Sequence, residues 1–144
     1  MHFEDALAAL PLEEPYRFVE KVLECDGLMI RTEMVFTLDH PIIRGHRKVG
    51  GLVPGSILME QAAQTAWLLA KLREDQDDYG MLVVGALQGK FSAPIRAPAR
   101  VECRVHVPFA QGNNIGFAAE LSITGETVAK VKGTCHRAPR RSNA

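Results

Sequence analysis

His46 and Glu60 lie fourteen positions apart, joined by His46-Arg-Lys-Val-Gly-Gly-Leu-Val-Pro-Gly-Ser-Ile-Leu-Met-Glu60. An imidazole titrates near neutrality and suits proton abstraction. A carboxyl group at the start of an apolar helix suits holding a proton and giving it up. Gly45, Gly50, Gly51 and Gly55 relax the backbone between and around them, and Pro54 stiffens it. The helix predicted to begin behind this loop presents unpaired N–H groups at the positive end of its dipole. The Gly55 N–H is placed there to meet a developing oxyanion. Gln64, one turn beyond Glu60, shares its face and is placed to orient the carboxyl. A base, an acid and an anion-receptive helix end point to acid–base chemistry beside a carbonyl.

These residues need a frame. Residues 3–9 read as a short helix closed by Pro11, and residues 16–24 and 28–37 as two strands. From Ser56 to about Arg73 the chain is apolar almost all round at helical spacing, which predicts a helix enclosed by other elements. Residues 74–78 read as a solvated acidic turn. The second half is strand: 81–87, 89–92, 100–109, 116–124 and 127–135, parted by turn signals at Gly85 and Gly89, Pro94 to Pro98, Gly112 and Gly125. Clean alternation over residues 100–107 buries one face of that strand. Residues 137–144 read as a flexible tail, with 10–136 as the core. Strands, one long buried helix, then consecutive antiparallel strands predict an α+β fold with a sheet around the helix.

The chain's 144 residues suit one domain, 1–144, and 47% hydrophobic with 24% charged residues is ordinary globular composition. A formal net charge of +0 argues against nucleic acid and anionic membrane surfaces as partners. Cys25, Cys103 and Cys135 are odd in number and widely spaced, which suits a reducing cytoplasm and neither a disulfide framework nor a zinc site. The start lacks the pattern of a secretory signal, and no apolar run reaches the roughly 20 residues of a membrane span. A soluble cytoplasmic protein is expected. Trp67, Met59 and Cys103 read as core packing and His40 as a turn residue, while His2, His106 and His136 have no partner pattern.

Three stretches resemble the 3-hydroxyacyl-(acyl carrier protein) dehydratases of fatty acid synthesis. Leu10-Pro11 and Pro15 before an apolar segment resemble the family opening; His46, Pro54-Gly55 and Glu60-Gln-Ala-Ala-Gln64 resemble its active-site signature, including the His-to-Glu spacing; Lys90-Phe-Ser-Ala-Pro94 resembles the strand that follows. The resemblance covers most of residues 10–107 and implies a hotdog fold: a long central helix wrapped by an antiparallel sheet. It implies His46 and Glu60 as the catalytic pair, contributed by different subunits of an obligate homodimer, with larger assemblies open. It implies a thioester substrate on acyl carrier protein or coenzyme A, and no metal or other cofactor. Two departures stand out. Arg47-Lys48-Val49 replaces the family's Phe-Pro-Gly after the histidine, and Ala97-Pro98-Ala99 replaces its Pro-Gly-Asp. Arg47 and Lys48 are placed to reach an acidic carrier protein or a pantetheine phosphate. Dehydration of 3-hydroxyacyl thioesters to trans-2-enoyl thioesters is the leading expectation. Thioester hydrolysis and non-catalytic acyl binding are the alternatives.

Overall fold

The elements follow from where the chain can place its backbone hydrogen bonds. A computed structural model describes residues 3–74 and 81–138. The chain forms helix α1 (Phe3–Ala9), strands β1 (Lys21–Cys25) and β2 (Met29–Phe36), short helix α2 (Pro41–Arg44) and a 3₁₀ turn (Arg47–Val49). Helix α3 (Gly55–Glu74) follows, then β3 (Met81–Phe91), β4 (Ala99–Gln111), β5 (Asn114–Ile123) and β6 (Glu126–Ala138). All six strands form one sheet in the order β1-β2-β4-β5-β6-β3, and every neighbouring pair is antiparallel. This is the hotdog fold. Helix α3 lies across one face of the sheet, packed on β4, β2 and β3.

Val101, Cys103 and Val105 of β4 face inward and are fully buried, as their alternation predicts. They meet Ala62, Ala66, Leu68 and Leu69 of α3 in one continuous core. Two of the polar side chains α3 carries inward find partners: Gln61 donates to the Val101 carbonyl at 3.2 Å, and Thr65 shares a hydrogen bond with Thr32 of β2 at 2.8 Å. Buried amides and hydroxyls are tolerated where they find such partners.

Three boundaries differ from the sequence expectation. Residues 16–20 do not join β1, because the Phe18 N–H is taken by the Gln64 side chain at 2.7 Å. Residues 81–91 form one strand where two were expected: Gly85 sits at a bulge between Val84 and Ala86, and Gly89 is in register with Val131. Gly89 is needed for space, since a Cβ there would lie 2.8 Å from the Phe91 ring. Arg137 and Ala138, assigned to the tail by sequence, pair with Leu82 and Met81 on β3. Of the acidic turn expected over 74–78, Glu74 ends α3, and residues 75–78, His2 and the rest of the tail lie outside the described residues. No helix among the described residues is long and apolar enough to cross a membrane.

Candidate active site

The loop from 45 to 55 is zipped to the segment after β3. Ala97 N–H donates to the Gly51 carbonyl at 3.0 Å and Val53 N–H to the Ile95 carbonyl at 2.8 Å. Ala97 thus supplies a backbone bond that anchors the loop. Gly50 and Gly51 have φ of 74° and 71°, the left-handed region where a Cβ is costly. Gly45 is ordinary right-handed backbone, so its freedom is not used.

His46 is half-buried at the start of the 3₁₀ turn, and its N–H donates to the Ile43 carbonyl at 2.8 Å. Its Nδ1 lies 3.0 Å from the Leu52 carbonyl oxygen. A carbonyl oxygen only accepts, so Nδ1 carries the proton and Nε2 is left with its lone pair. In the neutral ring this makes Nε2 the nitrogen able to accept a proton. His40 instead caps α2, where its Nδ1 accepts from Ile42 N–H at 3.1 Å, and its ring packs beside Phe18 and Phe36.

Glu60 sits half-buried on the second turn of α3. Gln64 donates from Nε2 to Glu60 Oε1 at 3.2 Å and to the Tyr16 carbonyl at 3.0 Å, and accepts from Phe18 N–H at 2.7 Å. Because the Phe18 N–H requires an acceptor, the amide has one orientation, with its NH₂ toward Glu60. The carboxyl has a fixed donor on one oxygen.

Glu60, Ala63, Gln64 and Trp67 line one cleft of about 150 Å³, walled on its other sides by Leu10 and Leu12, by Leu82 of β3 and by Cys135 of β6. Burial pushes the Cys135 thiol up to about 11, and the nearby Glu60 charge adds to it. The Tyr16 hydroxyl is raised as well, by burial first and then by Glu60. The Cys103 thiol, fully buried, is pushed up to about 12 by desolvation, which suits packing and not attack.

Gly55 begins α3 beneath the Phe91 ring, where a Cβ would meet ring carbon at 3.1 Å. Its N–H belongs to the first turn and has no partner within the helix. Arg47 and Lys48 are exposed beside His46. His46 does not line the Glu60 cleft of its own chain. Sequence reasoning assigned Trp67 to the core, and it missed Cys135, Leu82 and Phe91 as site neighbours. Helical period shows that Trp67 is buried, but not that a cleft is what it borders. Among the described residues, no three His, Cys, Asp or Glu side chains are gathered as metal ligands.

No family model matches the chain. It is 28% identical over 128 residues to the 3-hydroxyacyl-(acyl-carrier-protein) dehydratase FabZ of Rhizobium etli (strain CIAT 652), covering 88% of this chain and 82% of that protein. This chain is a hotdog-fold relative of the 3-hydroxyacyl-(acyl-carrier-protein) dehydratases. Its fold is shared with the dehydratase heterocomplex ApeI:P from Xenorhabdus doucetiae, at a TM-score of 0.80 and 14% identity, over 96% of this chain and 92% of that one. It is also shared with a mutant of thioesterase PA1618 from Pseudomonas aeruginosa, at a TM-score of 0.76 and 16% identity, over 96% and 95% of the two chains.

Proposed function

We propose that this hotdog relative is a lyase that converts 3-hydroxyacyl thioesters, carried on acyl carrier protein, to trans-2-enoyl thioesters in the cytoplasm. The observation that carries this is the Leu52 carbonyl on His46 Nδ1, which leaves Nε2 as the base. Nε2 takes the proton from the carbon next to the thioester carbonyl. Charge moving onto the carbonyl oxygen meets the Gly55 N–H at the positive end of α3. Glu60, oriented by Gln64, gives its proton to the 3-hydroxyl, which leaves as water while the C2–C3 double bond forms. The imidazolium and carboxylate left behind exchange a proton through solvent and the site is reset.

On this reading residues 1–144 work as one hotdog domain, and two chains complete each site. Strand β3 is a sheet edge carrying exposed Val83 and Val84, the kind of edge that pairs with a second copy. His46, absent from the Glu60 cleft of its own chain, then serves the cleft of the partner. Arg47 and Lys48 flank that entrance as contacts for an acidic carrier protein or a pantetheine phosphate.

Hydrolysis is the second reading. It is favoured by the shared fold with a thioesterase and by a carboxylate whose own-chain cleft needs no histidine to activate water. Incubating the protein with 3-hydroxyacyl, 2-enoyl and saturated thioesters, while following enoyl absorbance and free thiol separately, decides between them. Enoyl interconversion without thiol release is expected. Thiol release without interconversion identifies a hydrolase, and neither activity on either carrier identifies an acyl-binding module.

A further inference from the structure

Glu60, Ala63, Gln64 and Trp67 fall at the i, i+3, i+4, i+7 positions of α3 and line one cleft. Trp67 is seven residues beyond Glu60, about 10 Å along the helix axis. An acyl chain whose reacting carbons sit at Glu60 and which runs along α3 therefore arrives at the indole. The cleft holds about 150 Å³, and the walls facing α3 are apolar: Leu10, Leu12, Leu82 and Cys135. An apolar cavity of roughly 150 Å³ admits a benzene-sized guest, about six carbons.

Trp67 is 9% exposed, and its Nε1 is buried without a hydrogen-bond partner. A phenylalanine would fill most of that volume without stranding a donor. What the tryptophan adds is bulk on the cleft wall one turn beyond Gln64. Resting on the dehydratase reading, we infer that Trp67 is the end-stop of the acyl cleft and restricts the substrate to short acyl groups of about six carbons. The wall opposite, Leu82 and Cys135, comes from β3 and β6, whose pairing fixes it in place.

Trp67 is the chain's single tryptophan, so its fluorescence reports the cleft directly. The experiment titrates the full chain with unreactive carboxamide analogues of hexanoyl- and dodecanoyl-pantetheine, reading tryptophan emission and, independently, heat of binding. In the unmodified protein the hexanoyl analogue should shift the emission and bind at least about tenfold more tightly than the dodecanoyl analogue. A tenfold ratio corresponds to about 1.4 kcal/mol. Trp67→Ala, read by heat, should reverse that order, because the shortened side chain opens the end of the cleft. Equal binding of the two lengths, binding without any change in emission, or no binding of either overturns the inference. So does a folded Trp67→Ala variant with the original preference. Should that variant fail to fold, the two titrations of the unmodified protein decide. Because the analogues cannot react, a protein that lacks dehydratase activity yet selects hexanoyl loses only the proposed function. One that dehydrates but binds both lengths equally loses only the end-stop.

Discussion

Glu60 and His46 are held by different kinds of partner, and that sets what each mutation does. Glu60 receives its hydrogen bond from another side chain, whereas His46 is locked by a backbone carbonyl that no substitution removes. Positioned acid–base groups contribute roughly 10²- to 10⁴-fold, so His46→Ala and Glu60→Gln should each lower turnover by that factor. The double variant should be little worse than the poorer single one, since the pair acts as a unit; steady-state rates with a 3-hydroxyacyl thioester check both. Gln64 differs, because it also satisfies the Phe18 N–H and the Tyr16 carbonyl. Gln64→Leu should cost about 1–3 kcal/mol in urea unfolding, the penalty of a stranded buried donor, besides slowing turnover. The Glu60–Gln64 pair was legible in sequence, since four residues apart on a helix means one face. The bonds from Gln64 to residues 16 and 18 were not, because no local pattern encodes contacts 48 and 46 residues away.

At the scale of elements, the glycines of the 45–55 loop separate into those needing a special backbone and those needing room. Gly50 combines a φ of 74° with Arg96 Nη1 only 2.7 Å from where a Cβ would stand, so Gly50→Ala should destabilise by about 1–2 kcal/mol. Gly45 is helical, with 3.4 Å to its nearest neighbour, and Gly45→Ala should be close to neutral in the same denaturation experiment. The sequence shows four glycines alike, because composition does not reveal φ. Helix α3 was legible nearly to the residue, since its apolar residues repeat at helical spacing and Pro54 marks its start. Strand β3 was not. Gly85 and Gly89 look like turns in sequence, but one forms a bulge and the other makes room for the Phe91 ring.

The whole molecule should weaken in alkali in a way that traces to its core thiols. Thiols ordinarily titrate near 9.0, while burial raises Cys135 to about 11 and Cys103 to about 12. Between those limits the unfolded chain has already lost protons that the folded chain keeps, so stability falls as pH rises. The contribution is fully present below about pH 9 and is lost progressively as pH climbs through the folded values. Urea midpoints should drop between about pH 9 and pH 11, and Cys103→Val should show a smaller drop than the unmodified protein.

Assembly belongs to the same scale, for the proposed site is complete only when His46 of one chain meets Glu60 of another. Mixing and refolding His46→Ala with Glu60→Gln tests this most directly. In a two-fold dimer each mixed pair carries one site with both mutations and one with neither, so random pairing should restore about a quarter of the unmodified turnover. Enoyl thioester should form at that rate from two proteins that are each nearly inactive alone. A mixture that exchanges subunits and remains as inactive as its parents would contradict the shared His46–Glu60 site.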